Sequence, residues 1–85
     1  MKKFSYTVKD EVGIHARPAG ILVKEAKKYA SKIVIVKDGK TAEATKLMAV
    51  MGLGVKCGQM VEVEITGEDE DTAYDAMKEF FERNF

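Results

Sequence analysis

The segment Met60–Thr66, MVEVEIT, alternates apolar and polar side chains without interruption. In an extended chain, Val61, Val63 and Ile65 fall on one face and the polar side chains on the other. A strand with this pattern is half-buried, which is typical of an antiparallel sheet with one covered face and one open face. A chain of 85 residues has room for one modest core. The alternation therefore predicts a sheet with a single covering layer.

Other segments indicate three more strands. Phe4, Tyr6 and Val8 alternate within residues 2–8, and a β-branched run occupies residues 32–37. Asp38-Gly39 suits a tight hairpin turn, from which residues 40–44 return as the next strand.

Three segments indicate helices. The first follows residue 15, and its apolar stripe at helical spacing consists of Ala19, Leu22, Val23, Ala26 and Ala30. Residues 46–53 suffice for about two turns. The last segment opens with Asp69, Glu70 and Asp71, which suit a helix N-terminus, and we expect it to be the longest helix.

The predicted fold class is α+β, with the element order β-α-β-β-α-β-α in one domain over residues 1–85. The four strands have one polar face each, and the helices are amphipathic. An open-faced two-layer sandwich follows from these patterns. These patterns do not determine the order of the strands in the sheet.

Composition and charge exclude several classes of function. No apolar run approaches the ~20 residues of a membrane span, and no signal-peptide core is present, so we expect a cytoplasmic protein without membrane insertion. One cysteine, Cys57, and one histidine are too few soft ligands for a zinc site, so no metal is expected. Residues 1–40 carry ten Lys or Arg against four Asp or Glu, and residues 41–85 carry the reverse. This argues against nucleic-acid binding and favours a local basic face for an acidic protein partner.

The stretch GIHARPAG, residues 13–20, holds the only histidine and the only proline of the chain. Proline is tolerated in the first turn of a helix, so Pro18 indicates where the first helix begins. The unpaired N–H groups of that turn form an anion site. The same helix end disfavours protonated His15, which leaves a neutral, nucleophilic ring. Arg17 adds a planar, permanently charged donor for phosphate oxygens. The simpler alternative is that His15 only caps the helix and Arg17 is solvated.

A second surface accompanies this motif. The helix face opposite the core stripe carries Arg17, Gly20, Ile21, Lys24 and Lys28. The short segment adds five apolar residues, Leu47, Met48, Val50, Met51 and Leu53, more than one face of two turns can bury. We expect some to be exposed as an adaptable partner surface, although core packing is the expected role of each methionine taken singly.

Both motifs resemble a known family. Residues 13–19, GIHARPA, and 46–55, KLMAVMGLGV, are similar to HPr, the histidine-containing phosphocarrier of the bacterial phosphoenolpyruvate-dependent sugar phosphotransferase system, and especially to its Gram-positive branch. The likeness in length and element order covers nearly the whole chain. It implies the antiparallel strand order 1-4-2-3 with three helices on one face.

The resemblance also implies a function. His15 would accept a phosphoryl group on Nδ1 from phosphorylated enzyme I and pass it to the IIA domains of sugar permeases, with Arg17 steadying the group. Ala16, Arg17 and Pro18 would form the phosphate-binding segment. Partners would dock on Gly20, Ile21, Lys24, Lys27, Leu47, Met48 and Met51. The chain would be a monomer without a cofactor and without catalytic turnover of its own.

Lys46 departs from the family pattern. That position usually holds a serine, which in Gram-positive members is phosphorylated by an ATP-dependent kinase. Lysine places a positive charge where phosphoserine would place a negative one. We therefore hypothesise that the serine-type switch is absent, with Thr45 as the neighbouring hydroxyl.

Three alternatives belong to other classes. A regulatory HPr relative would bind a transcription factor or an enzyme without relaying phosphate, but such relatives can lack the histidine that this chain has. A small enzyme of the acylphosphatase type would need a Gly-rich phosphate loop with an arginine, where this chain has His15. A metal chaperone would need a Cys-x-x-Cys pair, which the sequence lacks.

Overall fold

The computed structural model describes residues 1–85. The elements follow the predicted order. They are β1 Lys2–Thr7, α1 Ala16–Ala26, β2 Lys32–Lys37, β3 Lys40–Glu43, α2 Leu47–Gly52, β4 Met60–Thr66 and α3 Glu70–Asn84. The last helix is the longest, as predicted, with 15 residues.

The four strands form one antiparallel sheet in the order β1-β4-β2-β3. In the register, β4 lies between β1 and β2, with Phe4 opposite Val63 and Ile35 opposite Val63 on its other side. The hairpin from β2 to β3 turns through Asp38 and Gly39, whose φ values of 50° and 80° confirm the predicted turn. The strand order implied by the family resemblance is confirmed.

The core lies between the sheet and the helices. Val61, Val63 and Ile65 are buried, as the alternation predicts, and they belong to one cluster of 20 buried apolar residues. Phe81 of α3 is its largest fully buried side chain and meets Phe4 and Tyr6 edge-on, with ring centroids 5.9 and 5.8 Å apart.

The apolar stripe predicted for α1 extends beyond the observed end of the helix. Ala19, Leu22 and Ala26 are buried and Val23 is half-buried, but the helix ends at Ala26 and Ala30 is exposed. The chain has to turn into β2 at this point. The Asp69 carboxylate, at the start of α3, accepts hydrogen bonds from the Ala30 and Ser31 N–H groups at 2.9 Å each. These bonds hold the two residues in the turn, so the helix cannot continue through them.

No helix of the chain is both long and apolar enough to cross a membrane.

Candidate functional site

The backbone that leads into His15 is held against the loop after α2. Gly13 has a φ of +81° and donates its N–H to the Asp10 carbonyl at 3.0 Å. Ile14 is buried and donates to the Val55 carbonyl, also at 3.0 Å. A Cβ atom on residue 13 would lie 2.3 Å from the Val55 oxygen. Only glycine fits this position, and the contact fixes where α1 starts.

His15 is the N-cap residue of α1. Its backbone is extended, and its carbonyl accepts the Ala19 N–H at 2.9 Å. The ring is half-buried and makes no hydrogen bond within the chain, including none to the first turn of the helix. The capping role that the simpler alternative gave to His15 is therefore wrong, since the imidazole does not cap, whereas the solvated Arg17 of that alternative agrees with the structure. The ring nitrogens of His15 are free for chemistry.

The first turn of α1 leaves donors unsatisfied. The N–H groups of Ala16 and Arg17 have no acceptor in the chain, and no acidic residue occupies this turn. The Arg17 side chain is exposed and makes no ion pair. Pro18 is buried in the first turn, as predicted, and has no N–H, so its contribution is conformational. The two residues that follow His15 thus offer an anion two unpaired backbone donors and one guanidinium without an ion pair.

The predicted partner residues lie on two helices that contact each other, α1 and α2, except for Lys27, which directly follows α1. We use the name mixed patch for Gly20, Ile21, Lys24, Lys27, Leu47, Met48 and Met51. Ile21 is 47% exposed and Met48 is 78% exposed, whereas Val50 and Leu53 on the other side of α2 are buried. The expectation that some apolar residues of the short segment stay exposed is confirmed. Core packing is the wrong expectation for Met48 and Met51.

The structure distinguishes between Lys27 and Lys28. Spacing on a helix indicated Lys28, and the family resemblance indicated Lys27. Both residues follow the end of α1 and are exposed. Lys28 is paired with Glu25 at 3.1 Å, and this hydrogen bond is the main reason why the pKa of Glu25 lies below its usual value. Lys24 and Lys27 have no acidic partner, so their charges are available to another molecule.

Lys46 is the N-cap residue of α2 and does not cap it with its side chain. Its ammonium lies 3.9 Å from Glu43, which also meets Lys32 at 3.6 Å. Thr45, its neighbour, is half-buried. The positive charge at residue 46 therefore stands at the edge of the mixed patch, next to Leu47.

Sequence reasoning missed a supporting contact of the site. The Lys37 ammonium, at the end of β2, donates to the carbonyls of Leu53 and Gly54 at 3.3 and 3.1 Å. These carbonyls belong to the loop on which Gly13 and Ile14 rest. No local pattern marks such a contact, because its partners are 16 and 17 residues apart.

The site is an open surface. The larger of two concavities, about 340 Å³, lies between α1 and α3 and is lined by residues such as Glu25, Phe80 and Arg83. Neither concavity includes His15. No three His, Cys, Asp or Glu side chains come together in the chain. A group held at His15 would thus remain accessible to a second protein.

Comparisons with known proteins agree with this geometry. The family profile "PTS HPr component phosphorylation site" matches residues 2–83. The chain belongs to the HPr family. A Phosphocarrier protein HPr from Mycoplasma capricolum is 40% identical over 79 residues, which cover 93% of this chain and 89% of the relative. The relatives carry the name of phosphocarrier proteins, which confirms the prediction of an HPr carrier over an enzyme with its own turnover.

Solved structures show the same fold. The crystal structure of HPr-C-His from Thermoanaerobacter tengcongensis has a TM-score of 0.93 at 38% identity, covering 100% of this chain and 96% of that one. The crystal structure of Crh, the Bacillus subtilis catabolite repression containing protein, has a TM-score of 0.79 at 33% identity and covers 93% and 91%. That structure of Crh is described as a dimer with a swapping domain. The HPr family thus includes relatives named both as carriers and as Crh.

Proposed function

We propose that this HPr family member carries a phosphoryl group on His15. It would accept the group from phosphorylated enzyme I and pass it to the IIA domains of sugar permeases. The observation that carries this proposal is the combination of a free imidazole with two unsatisfied N–H groups and an unpaired guanidinium at one helix N-terminus. No other helix N-terminus of the chain combines these groups.

The transfer is a displacement at phosphorus. A lone pair of the neutral His15 ring, on Nδ1 as the family resemblance implies, forms the new N–P bond while the bond from phosphorus to the donor protein breaks. The oxygens of the group carry negative charge throughout. The Ala16 and Arg17 amides and the Arg17 guanidinium stabilise that charge, with the helix dipole adding to the effect. In a second displacement a nucleophile of the acceptor protein forms a bond to phosphorus while the N–P bond breaks, which frees the His15 ring.

The open site supports a relay between proteins. Because no cavity encloses His15, a partner has to supply the remaining walls and exclude water. We propose the mixed patch as the docking surface for both partners. Its apolar centre and its unpaired Lys24 and Lys27 fit a partner with an apolar centre and an acidic rim. One surface used in turn by two partners suits a small, short-lived interface.

The experiment that tests the carrier function is intact-mass spectrometry after mixing the protein with phosphoenolpyruvate and enzyme I. We expect a single acid-labile phosphoryl adduct on the wild type and none on His15→Ala, with both proteins folded by circular dichroism. An adduct that persists in His15→Ala would place the chemistry elsewhere. No adduct on either protein would favour the regulatory function, in which the chain acts by binding alone as the Crh likeness suggests.

The docking surface has its own test in two lysines next to each other. Lys27→Ala should lower the rate of transfer from enzyme I severalfold, with most of the effect in KM, because it removes an unpaired cation. Lys28→Ala is the matched control, since Glu25 already neutralises that cation. Equal effects of the two substitutions would contradict the proposed position of the docking surface.

We further propose a cytoplasmic monomer in which residues 1–85 form one carrier domain. A monomer leaves the His15 site and the mixed patch open to both partners. Light scattering with size-exclusion chromatography checks this, and a stable dimer of the kind described for Crh would contradict it.

A further inference from the structure

Two methionines of the mixed patch are exposed without a structural reason. Met48 is the most exposed large apolar side chain of the chain, at 78%, and Met51 is 36% exposed. They lie three residues apart on α2, so they share one side of the helix. The residue of α2 that packs in the hydrophobic core is Val50, which is fully buried. Both side chains are therefore open to small reagents in the solvent, Met48 more than Met51.

A thioether exposed in this way accepts an oxygen atom from a hydroperoxide. A sulfur lone pair attacks the distal oxygen, the O–O bond breaks, and the S–O bond of a sulfoxide forms. The remaining oxygen leaves as water when the oxidant is hydrogen peroxide. The sulfur is oxidised by two electrons and the peroxide is reduced by two. The product is polar and chiral, and methionine sulfoxide reductases reverse the reaction.

We propose that Met48 and Met51 are a peroxide-sensitive modification site that controls docking. The inference rests on the proposed function, since it assigns a regulation to the same docking surface. Sulfoxides at these positions place polar S–O groups at the apolar centre of the mixed patch. Docking would have to desolvate them, which weakens the contact with a partner. His15 and the first turn of α1 are untouched, so the chemistry at phosphorus persists once a partner is bound.

The chain contains two internal controls. Met60 is 58% exposed but precedes buried Val61 in β4, so its side chain points to the open face of the sheet, away from the helices. Its oxidation should leave docking unchanged. Met77 is fully buried in the core and should resist oxidation as long as the protein is folded.

The test is a titration with hydrogen peroxide, followed by peptide mapping and by the rate of phosphoryl transfer from enzyme I. Every sample carries Cys57→Ser, because the exposed thiol also reacts with peroxide. We expect sulfoxide at the exposed Met1, Met48, Met51 and Met60 but not at the buried Met77. The expected loss is about tenfold in kcat/KM, mainly through KM, with an unchanged urea midpoint and recovery after treatment with the reductases MsrA and MsrB.

The decisive comparison uses leucine variants, each measured against its own untreated sample. In Met48→Leu/Met51→Leu, peroxide should change the transfer rate less than twofold. In Met60→Leu it should lower the rate as much as in the parent. If the double variant loses as much activity as the parent, or if a fall in the urea midpoint accompanies the loss, the proposal is overturned. If the untreated protein accepts no phosphoryl group at all, the proposed function itself fails, and the control of docking fails with it.

Discussion

The N-termini of α1 and α3 differ in the charged residues of their first turns. α3 begins with the acidic residues Glu70 and Asp71 in its first turn, whereas α1 has no acid there. The Glu70 carboxylate accepts the Gly67 N–H at 3.2 Å and pairs with the Met1 ammonium at 3.1 Å. The Gly67 bond, followed by the ammonium, lowers the pKa of Glu70. α3 thus carries its own anions at the positive end of its dipole.

The same end of α1 is left without an anion of its own. Its N-cap residue makes no side-chain bond, and the only charged side chain of the first turn is the cation Arg17. Isolated helices are less stable with such an end. Burial of Pro18, Ala19 and Leu22 offsets this. The difference shows that the fold stabilises α3 internally and leaves the site on α1 to an anion from outside, which in our proposal is the phosphoryl group.

The largest effect should come from breaking the geometry that precedes α1. Gly13→Ala places a Cβ 2.3 Å from the Val55 oxygen at a φ that favours glycine. We expect it to lower the free energy of unfolding by about 3 kcal/mol and to displace His15. Gly20→Ala, inside α1 with no atom within 4 Å of its new Cβ, should instead raise it by about 1 kcal/mol. Urea denaturation measures both, and a tolerated Gly13→Ala would show that the loop contact does not fix the site.

The next largest effect concerns the charge at the α1 N-terminus. Arg17→Ala should slow phosphoryl transfer to His15 about 100-fold, because it removes a donor to the developing charge, with the urea midpoint nearly unchanged. The only other arginine, Arg83, is exposed and paired with Glu79 on α3 at 2.7 Å, so Arg83→Ala is a matched control for the loss of one charge. Rapid-quench kinetics with phosphorylated enzyme I gives both rates. Transfer at the parental rate in Arg17→Ala would contradict the electrostatic role.

A smaller effect, on stability alone, is expected at the start of α3, the helix whose N-terminus has acidic residues of its own. Hydrogen bonds from the Ser31 hydroxyl, and then from the Ala30 and Ser31 N–H groups, hold the pKa of Asp69 below its usual value. A carboxyl whose pKa is lowered by folding stabilises the protein above its unfolded pKa, about 4, and loses that contribution as the pH falls through its folded pKa. The urea midpoint of Asp69→Asn should therefore lie below that of the wild type at pH 7.

The gap between the two midpoints should narrow as the pH falls below about 4, the unfolded pKa, toward the lower folded pKa of Asp69. Asp75→Asn, on the same helix, is the control, since the Asp75 carboxylate is exposed and makes no hydrogen bond or ion pair. A gap that stays constant down to pH 2 would show that the pKa of Asp69 is not linked to folding.

The parts of this structure that were predictable from sequence depend on short-range patterns. The alternation in β4, the turn at Asp38 and Gly39 and the place of Pro18 in the first turn of α1 are all encoded within a few residues. The end of α1 was misplaced because Asp69, which holds the following turn, is 39 residues from Ala30. The strand order came only from the family resemblance, since pairing between distant strands leaves no local pattern.

In the candidate site, too, only features within a short stretch of sequence could be predicted. His15 and Arg17 lie in one contiguous motif, so their common position at a helix start could be predicted. The contact of Lys37 with the loop after α2 could not, because it crosses from the end of β2. That Lys28 is paired and Lys27 is not also required coordinates, since it depends on which lysine contacts Glu25.

The smallest effect is expected at the N-terminus of α2, which, like that of α1, has no acidic residue in its first turn. Lys46 has only a weak ion pair at 3.9 Å, so Lys46→Ser should change the free energy of unfolding by less than about 1 kcal/mol, in the stabilising direction because serine caps helices.

The main consequence of Lys46→Ser should be regulatory. An ATP-dependent HPr kinase should leave no acid-stable phosphate on the wild type and should add one to Lys46→Ser. Thr45→Val in the Lys46→Ser background should keep that phosphate, which locates it at residue 46. Acid-stable phosphate on Thr45 of the wild type would contradict this expectation. It would mean that the half-buried threonine is phosphorylated in place of the serine of the family pattern, and that Lys46 does not remove this regulation.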